Sequence, residues 1–207
     1  MPLEFLISAL VTLVVVVEPI GLVPIFLAVT QGLPDDARRS VAWRACLIAA
    51  VILAGSALLG EWLLRTLAIS LPAFRIAGGL LLFSIAFEMV FGVRAQRQSR
   101  AAALAIEDQV RDIAAFPLAI PSMAGPGAIT ATVLLSGRAA GAPVLLGILL
   151  GVAAAVCALC FVVFMLSTPI SRALGRTGNI VLSRLLGVLL AALAVQFVVD
   201  GLRAVLA

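Results

Sequence analysis

Histidine, lysine and tyrosine are missing altogether from this 207-residue chain, and only 12% of it is charged. Each absence removes a class of protein. Without histidine or a zinc motif, three cysteines offer too few ligands for a metal centre. Without lysine there is no phosphate-binding Walker loop and no Ser–Lys pair, and no aspartate pair lies within an apolar stretch. The chain is therefore expected to be no enzyme and to need no cofactor. ATP-driven work would need another subunit. The scarcity of charge also removes the water-soluble classes, because a soluble domain of this size needs far more polar surface.

Apolar residues make up 64% of the chain, and its mean hydropathy is +1.26. Residues 139–171, 113–137 and 45–60 carry no charge at all. A helix crosses a bilayer with about 20 mostly apolar residues, so these windows read as spans in contact with lipid. All 14 basic residues are arginines, and the pI is near 10.2. They fall at the ends of apolar runs, where arginine meets lipid phosphate, so no nucleic-acid partner is expected. Cys46, Cys157 and Cys160 sit inside apolar windows and read as small packing residues. The first 17 residues lack a basic leader and read as part of a retained first span.

Charges, glycines and prolines divide the chain into six spans, near 4–30, 42–64, 71–92, 113–136, 142–167 and 182–203. The whole chain, 1–207, reads as one transmembrane domain. It comprises a first unit over 1–93, a cytoplasmic linker over 94–112 and a second unit over 113–207. The loops after spans one, three and five hold ten arginines, and the opposite side holds four. The positive-inside rule then puts both termini outside and the linker in the cytoplasm of a bacterial-type inner membrane. Glu88 is expected to snorkel to the cytoplasmic edge and Asp200 to sit at the outer interface beside Arg203.

An internal repeat runs through the two units. A shift of 109 residues lays Arg75-x-x-Gly78 on Arg184-x-x-Gly187 and Gly92-x-Arg94 on Gly201-x-Arg203. A shift of 102 lays Pro19 and Pro24 on Pro121 and Pro126. Two tandem three-helix units must cross the bilayer in opposite senses, since three is odd. The expected fold is thus an all-α membrane protein of six helices forming two inverted repeats, a plan common in secondary transporters.

Spans one and four should be broken. Proline inside a helix removes a hydrogen bond and clashes with the carbonyl four residues back. Span one carries Glu18-Pro19-Ile20-Gly21-Leu22-Val23-Pro24, and span four carries Pro117 and then Pro121-Ser122-Met123-Ala124-Gly125-Pro126-Gly127. Freed backbone is tolerated at depth only where it lines a cavity or is buried in protein. Pro24 and Pro126 suit the first positions of second half-helices, whose positive ends favour an anionic group such as a carboxylate. Glu18 lies about 22 Å along its span, where a carboxylate needs polar company, a cation or a proton. Ser122 and Thr130 add polar groups on span four, although such hydroxyls often bond the preceding turn. Glu18, Pro19, Gly21, Pro24, Pro121, Ser122, Gly125, Pro126, Gly127 and Thr130 form the expected substrate- or ion-binding set.

Glu18-Pro-Ile-Gly-Leu-Val-Pro-Ile-Phe26 and Phe116-Pro-Leu-Ala-Ile-Pro-Ser-Met-Ala-Gly-Pro-Gly-Ala-Ile129 resemble the two hallmark segments of the MarC family, also called NAAT. The resemblance extends over nearly the whole chain, including Arg75-Ile-Ala-Gly-Gly79 at the start of span three. It departs at span one, where the family pattern is Asp-Pro-x-Gly-Asn-x-Pro. Glu18 replaces the aspartate here and Leu22 the asparagine. The resemblance implies a six-span transporter of small neutral amino acids such as glycine and alanine, coupled to H+ or Na+. A channel, an accessory membrane protein or an exporter of another small solute stays open as the alternative. So does an oligomer.

Overall fold

The structure is a computed structural model that describes residues 2–107 and 112–206, apart from the side chains at 105–107 and 176. Asp108 and Arg111 of the linker lie outside the described residues. The described chain is helical, with no strand. Its elements are α1 (Pro2–Val17), a 3-10 turn (Pro19–Leu22), α2 (Val23–Val29), α3 (Asp35–Thr66), α4 (Leu71–Phe91) and α5 (Val93–Glu107). A π-type segment (Ala114–Met123), α6 (Pro126–Arg138), α7 (Pro143–Met165) and α8 (Ser167–Leu206) follow. Five helical stretches are long and apolar enough to cross a membrane, and a sixth arises if Ala114–Met123 and Pro126–Arg138 count as one bent span.

Two ends differ from the sequence reading for local reasons. The second span's helix begins at Asp35 rather than near Ala42, because extended Pro34 starts it and two aspartates occupy its first turn, where the helix dipole favours anions. The last helix begins at Ser167, and left-handed Gly175 (φ 60°) divides its leading turns from the apolar stretch Thr177–Leu206.

Large apolar residues cover much of the outside of the bundle, and small residues make many of its close helix contacts. On α3 the buried face is mostly small, with Ala42, Ala45, Cys46, Ala49, Ala57 and Gly60 beside Leu53 and Leu64. The exposed face carries Trp43, Leu47, Val51, Leu58 and Trp62. A soluble helix would hide the second set. Where lipid is the solvent, close backbone approach between small residues holds helices together and large apolar side chains face outward.

The same rule builds the α4–α8 pair. Gly79 lies under Ala194 and Val198, Gly187 against Ala86 and Met89, and Gly201 against Pro72 and Ile76. Positions rise along one helix as they fall along the other, so the two run antiparallel. The first span, Pro2–Val29, is the most enclosed of the five, with 61% of its apolar window buried against 28–44% in the other four, and α1 is its leading part. α1 packs on α6, α7 and α8, which places its end in the middle of the molecule.

Candidate functional site

α1 stops at Val17, and Glu18 adopts a left-handed conformation (φ 56°, ψ 63°) before the Pro19–Leu22 turn. An L residue pays a steric penalty in that region, so its neighbours must hold it there. Two contacts on its carboxyl group are evident. Ser183 Oγ on α8 donates a short hydrogen bond to Glu18 Oε1. The side chain also folds back over Gly21, where a Cβ would stand 2.6 Å from the Glu18 Cδ. Glu18 is 4% exposed.

A break at Val17 leaves the last carbonyls of α1 without intrahelical donors. Arg94 fills one of these places, with Nη2 donating to Val16 O at 2.9 Å and Nη1 to Met89 Sδ at 3.3 Å. It interacts electrostatically with Glu18 as well. Arg94 reaches this depth because Gly92 closes α4 in a left-handed turn (φ 77°), so α5 starts at Val93 and leads back toward the bundle. The linker's first arginine is therefore no surface anchor.

In span four the backbone leaves helical geometry at Phe116 and Ile120, each before a proline joined by a cis peptide bond. Pro126 then takes the first position of α6, with Gly125 as an extended N-cap that offers no side-chain hydrogen bond. The axis bends by 55° between the two halves. In span one the corresponding helix α2 begins at Val23, so Pro24 is its second residue rather than its first. α2 is only seven residues long.

The two broken segments pack against each other. They do not contribute equally to the open space beside them. A cavity of about 270 Å³ is walled by Pro121, Ser122, Gly125, Pro126 and Gly127 of the second break. Val16 from α1, Ser84 and Glu88 from α4, and Arg94, Arg97 and Gln98 from α5 also line it. Glu18, Pro19, Gly21 and Pro24 are not among its walls, and Pro24 is exposed. Thr130 turns away too, its methyl group beneath Gly78 of α4. Leu22, at the position where the family pattern has asparagine, is 1% exposed and packs in the core.

The two acidic residues expected at the membrane interfaces both hold ion pairs. Glu88 pairs with Arg97, and both line the cavity. Asp200 pairs with Arg138 at 2.9 Å, and that guanidinium lies 5.0 Å from the Phe197 ring centre. Sequence reasoning missed Ser183 and the inward role of Arg94. The signal for Arg94 was its place in the repeated Gly92-x-Arg94, two residues after a glycine that reverses the chain. Ser183 carried no signal beyond being a hydroxyl near the start of an apolar run. The three cysteines are free and buried, and no cluster of metal ligands occurs among the described residues.

Long apolar helices, small buried faces and a lipid-like exterior together define a multi-pass helical membrane protein. The chain belongs to the MarC family of integral membrane proteins, whose family model matches residues 3–206. A UPF0056 membrane protein of Methanocaldococcus jannaschii is 35% identical over the full length of both chains. One from Bacillus subtilis is 34% identical, covering 98% of this chain and 96% of its own. One from Escherichia coli is 36% identical, covering 91% and 87%. No solved structure matches the chain. Relatives of this kind in bacteria and archaea make the plasma membrane its location, with the bilayer as its surroundings.

Proposed function

We propose that the protein is a secondary transporter of a small neutral amino acid, glycine- or alanine-like, or of a related small metabolite. It works by alternating access around the two breaks and is coupled to H+ or Na+. The observation that carries this reading is the meeting of two helix interruptions beside a cavity with polar groups inside an otherwise apolar bundle. Its volume, about 270 Å³, lies below the ~300–1,000 Å³ typical of sites for drug-sized ligands and suits a small solute. The uncapped start of α6 turns its positive dipole end toward that space, and a carboxylate is the natural complement. The charge of Glu18 gives a coupling cation or proton its place.

The fold reading that goes with it is two inverted three-helix repeats, 1–93 and 113–207, joined by the linker. The antiparallel crossing of α4 and α8 supports it, since these helices hold corresponding places in the two halves. The ten-to-four arginine asymmetry supports termini outside and linker in the cytoplasm. No catalysis belongs to this reading.

Purified protein in proteoliposomes, given labelled glycine or alanine under an imposed proton or sodium gradient, tests it. Saturable uptake that collapses with the gradient is expected. Unsaturable flux would point to a channel, and no flux for any small solute would leave an accessory membrane role.

A further inference from the structure

We propose that Arg94 is the residue that receives the anionic head, a carboxylate or a group of like charge and shape, of the solute in this cavity. The inference rests on the transporter reading and adds a recognition group that the two breaks do not themselves supply.

Four charged side chains gather at this place, and Arg94, which shares its charge with Glu18, is the cavity-lining cation that is not paired with Glu88 and keeps hydrogen-bond donors in reserve. Arg97 and Glu88 are in direct contact, so each spends its charge on the other. Glu18 is held by Ser183 and does not line the cavity. Arg94 lines it. A guanidinium has five N–H donors. Val16 O and Met89 Sδ take two of them, and these bonds clamp the group in place without using the rest. A fixed, planar fork with donors in reserve is the geometry that reads carboxylate well, because little rotamer freedom is lost when the anion binds. A cationic head finds no equivalent partner here, since both carboxylates are engaged. The cavity should therefore prefer a solute that carries an anionic group, including a net-neutral zwitterion, over one that carries only an ammonium.

The experiment uses a full-length chain in which Cys46, Cys157 and Cys160 are replaced by alanine and Ser84, on the cavity wall, by cysteine. Its reaction rates with anionic ethylsulfonate and cationic trimethylammonium methanethiosulfonates are each divided by the rate for a free thiol. The anionic reagent should be favoured by about fivefold or more, as for a unit charge met at contact distance in water. Arg94→Gln should abolish the preference, Arg94→Lys should retain part of it, and Arg97→Gln should leave most of it. Because Arg94→Gln strands Glu18, the Glu18→Gln/Arg94→Gln double variant is measured beside it and should show the same loss. A preference untouched by Arg94→Gln or the double variant, or a preference for the cation, overturns the assignment. Failure of both reagents to react does so too, since a water-soluble solute could not then reach Arg94. Uptake that survives with no charge selectivity would remove Arg94 and leave the transporter standing. Selectivity without uptake of any amino acid would do the reverse.

Discussion

A single backbone twist at Glu18 sets the chemistry of the first break. Its left-handed conformation swings the carboxyl group over Gly21 and onto Ser183, and no side chain larger than hydrogen fits at position 21 without moving it. Gly21→Ala should therefore displace the carboxylate and reduce gradient-driven uptake while expression is nearly retained. Ser183→Ala removes the donor and should cost about 1–3 kcal/mol of stability, the usual range for a buried acceptor that loses its partner. Thermal unfolding in detergent measures it, and an unchanged midpoint would mean that another group satisfies Glu18. Glu18→Gln should leave folding close to normal and uncouple uptake from the gradient. Full coupling in that variant would reduce Glu18 to a structural acid. Of these residues, Glu18 was legible in sequence because a carboxylate deep in an apolar span needs polar company, a cation or a proton. Ser183 was not, because its partner lies 165 positions away and only the packing of α8 on the turn brings them together.

Small residues decide how the helices meet, and the glycines separate into two sorts. A Cβ at Gly79 would stand 2.7 Å from the Ala194 carbonyl oxygen, which is backbone and cannot step aside. At Gly55, Gly147 or Gly151 it would meet nothing. Gly79→Ala should thus lower stability by about 1–3 kcal/mol, as overpacking does, whereas Gly147→Ala should be neutral. Equal melting of the two variants in detergent would argue against the α4–α8 crossing described here. The breaks divide in the same way. A Cβ on Gly125 would overlap the Pro121 carbonyl oxygen, so Gly125→Val should damage the break itself. Gly127 faces the movable Ile85 Cδ1, so Gly127→Val should keep the fold and shrink the cavity, reducing solute binding more than stability. Span positions were readable from uncharged windows, since lipid demands length and apolarity of every crossing helix. The inward turn of α5 was not, because arginine at a helix end reads as an anchor until the carbonyl it reaches is known.

For the whole molecule the central claim is that one solute site at the second break is opened to each side of the membrane in turn. The arginine asymmetry places the linker in the cytoplasm, so Ser99→Cys in a cysteine-free background should react with impermeant reagent only from that side. Reaction from outside would reverse the orientation and leave the fold intact. Alternating access itself asks more, because it requires a buried wall residue to meet water on both faces at different times. Ser122 is such a residue, 4% exposed and on the cavity wall. The decisive measurement is labelling of Ser122→Cys, in otherwise cysteine-free protein of known orientation, by an impermeant thiol reagent applied to one face or the other of proteoliposomes. Reaction from both faces, with an imposed gradient raising one rate as it lowers the other, is the predicted result. Reaction from one face alone, whatever the gradient, would contradict it.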